Sequence, residues 1–340
     1  MKKRVIFLSV IFVVFVMLFS IILTLIYKIE SFFYGEKKIE EVVRSIKDNE
    51  KNQLMIINKT SEWINAKMSN TYMGDIIPFW NVPRIPKFPY ICIKSENPLE
   101  IIFTQCGSCL QYSVLFAKLL KIEGMESLVI KNIGEDHDWN WVKINDSWVN
   151  VDVIEPKAFN NPKIYEEGWG KNISYVFYLD ENGIEHSVTR NFTDTGNLTI
   201  NVQKNDKPVE NATIIIKSMF LMERNTRYKE PLVSTICITD KNGTCVFELG
   251  GNNYLVIAQK DEFFGLYGYK TETNLTLIEG KEERRTLILN EKKLLLSSYD
   301  LLSLAGLIVA TIGIAVLYSV LIYTLIKKQK NRHKSNSLYY

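Results

Sequence analysis

Three short stretches decide how this chain is interpreted: Gln105-Cys-Gly-Ser-Cys109, Asp136-His-Asp-Trp139 and Trp148-Val-Asn-Val-Asp152. In chain order they carry a cysteine, a histidine and an aspartate. A thiol becomes a nucleophile when an imidazole removes its proton and a carboxylate orients that imidazole. The pattern therefore indicates Cys109, His137 and Asp152 as candidate catalytic residues.

Residues 110–123 are predicted to form a helix, because their apolar side chains recur at helical spacing and Gly124 follows as a terminator. Gly107 and Ser108 supply the turn and an N-cap, so Cys109 lies in the first helical turn. The positive end of the helix dipole lowers the pKa of a thiol in that position and favours the thiolate. The free amides of the same turn can help to hold an oxyanion.

The histidine and the aspartate fall in a predicted β-hairpin. If Asn145-Asp146 is a two-residue turn, Asp152 shares a face of the hairpin with His137 and lies diagonally within its reach. A turn with an odd number of residues would put the two side chains on opposite faces. Asp138 points to the other face of its strand, where we expect a solvated carboxylate.

These residues resemble the transglutaminase-like superfamily, which includes papain-like thiol hydrolases and the peptide:N-glycanases. Its pattern is G-x-C at a helix start, H-x-W at a strand start and W-x-x-x-D on the next strand. Here the three motifs are Gly107 to Cys109, His137 to Trp139 and Trp148 to Asp152, within roughly residues 75–160. The resemblance implies a papain/transglutaminase-like core whose Cys-His-Asp triad transfers acyl groups from amides without a cofactor.

The resemblance also suggests residues for the oxyanion hole and for substrate contact. An upstream tryptophan can complete the oxyanion hole in transglutaminases, and Trp80 is the candidate for that role here. Trp139, two residues after the candidate histidine, is the second candidate for the oxyanion hole or for substrate contact. The spacing of the three motifs is similar to that of the glycanases.

The five cysteines permit two arrangements around the candidate nucleophile. Cys237 and Cys245 flank a turn, and Cys92 pairing with Cys106 would leave Cys109 as the free thiol. A bridge between Cys106 and Cys109 is the alternative, and it would argue against an enzyme unless the bond were regulatory.

Two uncharged apolar runs, at 5–27 and 301–326, are long enough to cross a bilayer. Basic residues precede the first run and follow the second in a tail at 327–340, so the positive-inside rule predicts that both termini are cytoplasmic. We therefore expect a two-span protein of the cell membrane, in contact with lipid, whose catalytic domain lies outside the cytoplasm. A cleaved signal peptide is the alternative for the first run.

Between these runs we expect a helical lead-in at 36–70, a transglutaminase-like domain at 71–195 and a β-sandwich at 196–292. Turn signals separate five β-rich segments in the last part. These segments are 198–202, 212–217, 234–238, 244–249 and 253–258. They resemble transthyretin-like or carboxypeptidase-regulatory-like modules, which are usually spacers or binding platforms. The expected fold class is α+β, a papain/transglutaminase-like core plus a β-sandwich, flanked by two transmembrane helices.

Composition argues against two other functional classes. The net charge is +3 and the basic residues are not striped, so nothing supports nucleic-acid binding. The three histidines and the cysteines lack the spacing of metal ligands, so we expect no metal site.

We expect a thiol hydrolase, a protease or amidase that acts on the amide bonds of a protein or peptide substrate. Cys109 is the expected nucleophile, His137 the general base and acid, and Asp152 the residue that orients His137. A glycan–asparagine amidase and a protein cross-linking transglutaminase are alternatives with the same chemistry. A non-catalytic surface binding or assembly protein is the alternative from another class, and it predicts that Cys109→Ala leaves function intact.

Overall fold

The computed structural model describes residues 2–47, 52–70, 95–167, 173–225, 227–262, 267–294 and 313. The chain forms two compact units, and the larger one comprises residues 26–260 and 269–291. The larger unit contains the candidate active site. Its architecture is a mixed α/β fold in which sheets predominate.

The helices lie mainly in the first half of the chain. They are α1 (Lys2–Lys47), α2 (Gln53–Lys67), α3 (Pro98–Thr104), α4 (Cys109–Ile122), α5 (Ile164–Glu167) and α6 (Phe220–Arg224). The predicted helix at 110–123 is confirmed as α4. Buried side chains of α1, α2 and α4, such as Ile39, Ile57 and Phe116, share one hydrophobic core. Burial of these apolar faces is what stabilises the helices against each other.

The expected membrane spans are not supported by the structure. Among the residues that the structure describes, no helix has both the length and the apolar character that crossing a bilayer requires. The run at 5–27 is the first half of α1, which continues without a break into a charged half that buries Val42 and Ile46. The prediction of two flanking transmembrane helices is therefore wrong, and so is the two-span cell-membrane localisation with cytoplasmic termini that depended on it. The run at 301–326, apart from Gly313, and the tail at 327–340 lie outside the described residues.

A five-stranded sheet carries the candidate histidine and aspartate. Its strands are β3 (Ser127–Asn132), β4 (His137–Ile144), β5 (Ser147–Val151), β6 (Phe177–Leu179) and β7 (Glu185–Ser187), following the short paired strands β1 (Ser69–Asn70) and β2 (Cys106–Gly107). The strand order is β5-β4-β3-β6-β7, and neighbouring strands are antiparallel. Helix α4 packs against β3 and β4. The start of the helix, the start of β4 and the end of β5 are thereby brought together.

The C-terminal part consists of two sheets that share one hydrophobic core. Their strands are β8 (Thr195–Lys204), β9 (Lys207–Pro208), β10 (Thr213–Ser218), β11 (Leu232–Ile238), β12 (Thr244–Gly250), β13 (Asn252–Glu262), β14 (Tyr267–Leu277), β15 (Glu282–Ile288) and β16 (Lys292–Leu294). One sheet contains β12-β8-β15 and the other contains β11-β10-β13-β14. Each of the five predicted β-rich segments overlaps one of these strands. The Cys237–Cys245 disulfide predicted from the flanked turn is confirmed.

Candidate active site

The start of α4 holds Cys109 in a tightly packed turn. Gly107 has no room for a side chain, because a Cβ there would overlap the side chain of Gln111. The Gln111 Oε1 atom accepts hydrogen bonds from the backbone amide and the hydroxyl of Ser108, both at 2.9 Å. Cys109 follows as the first residue of the helix, half-buried and free of any disulfide. Cys106 is disulfide-bonded, and Cys92, its predicted partner, lies outside the described residues.

The hairpin has the register that the two-residue turn predicts. Asn145 and Asp146 have φ values of 47° and 64°, which are the left-handed conformations of a type I′ turn. Ile144 pairs with Ser147, as predicted. The buried Asn140 of β4 donates to the backbone carbonyl of Ser113 in α4 at 3.0 Å. That bond joins the helix of the candidate nucleophile to the strand of the candidate base.

His137 and Asp152 contact each other directly. His137 Nε2 lies 2.7 Å from Asp152 Oδ2, and the Asp152 side chain is 1% exposed. The second carboxylate oxygen, Oδ1, accepts from the backbone amides of Ile154 at 2.9 Å and Glu155 at 3.2 Å. These donors hold the carboxylate in a fixed orientation. Asp152 is therefore held so that it orients the imidazole.

Aromatic side chains support this pair from behind. Trp139 stacks on His137 with ring centroids 5.6 Å apart and on Tyr165 with centroids 4.3 Å apart. The Tyr165 hydroxyl donates to Asp152 Oδ2 at 3.1 Å. Trp139 is 1% exposed, and its ring packs on the histidine. The suggested role of Trp139 in the oxyanion hole or in substrate contact stays a prediction. Trp80, the other oxyanion and substrate candidate, lies outside the described residues.

The hydrogen bond that Cys109 makes goes to Asp138. The distance from Cys109 Sγ to Asp138 Oδ2 is 3.6 Å. Asp138 is half-buried, so the expectation of a solvated carboxylate is wrong. Strand alternation does place Asp138 and Trp139 on opposite faces, but the first turn of α4 covers the Asp138 face. The thiol therefore meets a carboxylate that is adjacent in sequence to the candidate base.

The electrostatics of the site keep the thiol protonated in this state. Burial raises the pKa of Cys109 to about 12, with further contributions from the charges of Asp138 and Asp136. The backbone amide of Leu110 acts in the opposite direction, as expected for a helix start, but its effect is smaller. The expected thiolate is therefore not the resting form. Burial also raises the pKa of Asp138 to about 6.

Several groups around the site had no signal in the sequence. Tyr165 lies on the short helix α5, and Tyr228 lies in the loop between α6 and β11, where its hydroxyl donates to Asp136 Oδ2 at 2.5 Å. Neither tyrosine belongs to a motif, and their positions depend on long-range packing. A cavity of about 570 Å³ adjoins Asp152, and its other wall is formed by polar residues of α2 such as Asn58 and Asn65.

Within the described ranges, no group of three or more histidine, cysteine, aspartate or glutamate side chains is placed to hold a metal ion. Three side chains of the candidate site can take part in chemistry. These are a thiol on a helix start and an imidazole paired with a carboxylate.

Sequence comparisons relate part of the chain to one kind of enzyme. A peptide-N(4)-(N-acetyl-beta-glucosaminyl)asparagine amidase of Eremothecium gossypii is 32% identical over 114 residues, which are 33% of this chain and 30% of that protein. The enzyme of the same name from Saccharomyces cerevisiae is 30% identical over 106 residues, covering 31% of this chain and 27% of the enzyme. The chain thus spans less than a third of the length of these relatives. No protein-family profile matches it.

A solved structure described as "Crystal structure of a TGase" is 13% identical and covers 36% of this chain and 32% of its own, with a TM-score of 0.28. That score is too low to support an argument. The sequence relatives confirm the transglutaminase-like resemblance for about a third of the chain, whereas the resemblance of 196–292 to transthyretin-like modules stays a prediction. About a third of this chain is similar to the peptide:N-glycanases, which are amidases of the transglutaminase-like cysteine-hydrolase type.

Proposed function

We propose that this protein is an amidase that cleaves the bond between an N-linked glycan and the side chain of asparagine in a protein or peptide. The observation that carries the proposal is the 2.7 Å pair of His137 and Asp152 on the hairpin that packs against the helix of the free thiol Cys109. The sequence similarity to peptide:N-glycanases supports this substrate over the general peptide bond that the motifs alone suggest.

The roles of the three residues follow from the hydrogen bonds of the imidazole. Nε2 of His137 contacts Asp152, so we assign to Nδ1 the role of taking a proton from Cys109. The sulfur attacks the side-chain carbonyl carbon of the glycosylated asparagine. His137 returns the proton to the departing nitrogen, so the glycosylamine leaves and a thioester to Cys109 remains.

Water completes the reaction. His137 removes a proton from a water molecule that attacks the thioester carbonyl, and the sulfur leaves with that proton restored to it. The peptide product carries aspartate where the substrate carried glycosylated asparagine. The backbone amides at the start of α4 are the donors that we assign to the developing oxyanion.

The raised pKa of Cys109 bears on how the cycle begins. Because the resting thiol is protonated at neutral pH, its proton must move to His137 as the attack proceeds. Substrate that displaces water and moves Asp138 away from the sulfur would favour this transfer. We therefore propose general-base activation of a thiol instead of a preformed ion pair.

The test uses the full chain and three substrates: an N-glycosylated peptide, the same peptide without its glycan, and that peptide with a primary-amine acceptor. We expect aspartate-containing product from the glycopeptide alone, and none with Cys109→Ser. Cleavage of the backbone in the plain peptide would indicate a protease, and incorporation of the amine would indicate a cross-linking transglutaminase. Binding of the glycopeptide without turnover, unchanged in Cys109→Ala, would indicate the non-catalytic alternative.

A further inference from the structure

The turn that precedes His137 is anchored in the C-terminal sheets. Glu135, at the end of a 3-10 turn of residues 133–135, is 1% exposed. Its carboxylate accepts from the Ser174 amide at 3.0 Å, from the Ser174 hydroxyl at 2.9 Å and from the Ser218 hydroxyl at 2.8 Å. Ser218 is the last residue of β10. A buried carboxylate costs free energy unless such donors surround it, so this contact is specific.

The fit around this carboxylate extends to its neighbour. A side chain at Gly134 would overlap the hydroxyls of Ser174 and Ser234, the latter on β11. Asn252 of β13 donates to the Ser218 hydroxyl at 3.1 Å and completes the polar cluster. Residues of three strands of the C-terminal sheets, β10, β11 and β13, thus surround this turn.

A second contact lies closer to the candidate nucleophile. Asp136, directly before His137, has a φ of 53°, and this left-handed conformation turns the chain into β4. Its carboxylate accepts the 2.5 Å hydrogen bond from Tyr228. Burial and the bond to Asp136 raise the pKa of Tyr228, so the hydroxyl stays protonated and donates. Asp136 is followed directly by His137 and then by Asp138, which contacts the Cys109 sulfur at 3.6 Å, so the Tyr228 bond lies next to the candidate site.

We propose that Tyr228 is a positioning residue of the candidate active site, supplied by the loop between α6 and β11 to fix Asp136 and therefore the segment that carries His137 and Asp138. The C-terminal part is then a working component of the active site instead of a spacer. The proposal rests on the assignment of Cys109 and His137 to the reaction, and it does not depend on the identity of the substrate.

The test compares Tyr228→Phe with Tyr175→Phe in the full chain. Tyr175 provides a matched control, because its hydroxyl also donates to a carboxylate, that of Glu185 at 2.8 Å, but outside the candidate site. The first readout is the rate of Cys109 alkylation by iodoacetamide from pH 6 to 10. The second readout is kcat and KM, determined separately for an N-glycosylated peptide. Thermal unfolding shows whether each variant keeps its fold.

We expect Tyr228→Phe to shift the pH profile of Cys109 alkylation and to lower kcat about tenfold or more, with KM within about twofold, as for a misplaced base. Tyr175→Phe should leave both readouts at their wild-type values. Asp136→Ala removes the same contact and should also lower kcat, although its alkylation profile will also reflect the loss of a charge near the thiol. Adding Tyr228→Phe to Asp136→Ala should cause no further loss of kcat, since the contact is already absent. An unchanged alkylation profile in Tyr228→Phe, or additive losses in the double variant, would overturn the proposal.

The two readouts separate this inference from the proposed function. Alkylation needs no glycopeptide, so a wild-type chain that fails to cleave the substrate contradicts the proposed function while the alkylation profiles still decide the role of Tyr228. If Tyr228→Phe unfolds at a clearly lower temperature than Tyr175→Phe with normal alkylation of Cys109, the tyrosine is structural and the proposal fails.

Discussion

Cys109 Sγ donates a hydrogen bond to Asp138 Oδ2 over 3.6 Å, so the free thiol of α4 meets the residue that directly follows the candidate base. An ionised carboxylate in this position opposes formation of a thiolate. His137, Asp136 and the ammonium group of Lys131 also influence this pair electrostatically. After burial, the charge of Asp138 is therefore the largest contribution that raises the pKa of Cys109.

Asp138→Asn should lower the pKa of Cys109 and speed its alkylation at neutral pH. Removing one nearby negative charge is worth about one pKa unit, hence about a tenfold faster reaction below the pKa of the thiol. The measurement is the iodoacetamide rate from pH 5 to 10, with Asp146→Asn in the exposed turn as control. A rate equal to or slower than that of the wild type would show that Asp138 does not oppose the thiolate.

Asp138 should also make the free energy of unfolding depend on pH. The pKa of Asp138 is raised to about 6 from an ordinary value of 3.8, so the folded state binds its proton more tightly than the unfolded state does. The contribution of this group to stability is therefore present below about pH 4 and is lost as pH rises through about 6. Urea unfolding at pH 4 to 7 should show wild type losing stability relative to Asp138→Asn over this interval. A parallel course of the two curves would contradict the shift.

Asp152→Asn should reduce turnover about 10³-fold or more while the chain stays folded. The amide keeps an oxygen for the Ile154 and Glu155 amides, but it cannot stabilise an imidazolium and it favours the wrong tautomer of His137. Tyr165→Phe, which removes one donor to the same carboxylate, should have a much smaller effect. Comparable losses in the two variants would indicate that Asp152 acts through packing alone.

Asn140→Ala should destabilise the fold by about 2 kcal/mol, because it removes the hydrogen bonds that the buried Asn140 amide donates to the carbonyls of Ser113 in α4 and Leu128 in β3. The free energy of unfolding in urea measures this change. Asn182→Ala, in the exposed turn between β6 and β7, serves as control and should stay within about 0.5 kcal/mol. Equal stability of the two variants would show that these bonds contribute nothing to helix–sheet packing.

Local sequence patterns predicted the parts of the site that depend on period and turn length. The Asn145-Asp146 turn sets the register of β4 and β5, and this register brings His137 and Asp152 together. Helical spacing and a glycine terminator predicted α4. These features are determined within some fifty residues of one another along the chain.

Patterns could not predict what covers each face. Alternation places Asp138 opposite Trp139, but only the packing of α4 reveals that Asp138 lies against the thiol instead of in solvent. Tyr228 reaches the site from 91 residues beyond His137, in a part of the chain that has no catalytic motif. The apolar run at 5–27 was predicted as a separate span, whereas it is the first half of the longer helix α1, and no helix among the described residues meets the requirements for crossing a bilayer.

The proposed function assigns hydrolysis of the glycan–asparagine bond to Cys109. The most direct test of this assignment is mass spectrometry of an N-glycosylated peptide incubated with the full chain in H₂¹⁸O. If the assignment is right, the deglycosylated peptide carries aspartate with one ¹⁸O atom, and Cys109→Ser and His137→Ala give none of it. Intact glycopeptide after incubation with the folded wild-type chain, or the same ¹⁸O-labelled product from Cys109→Ser, would contradict it.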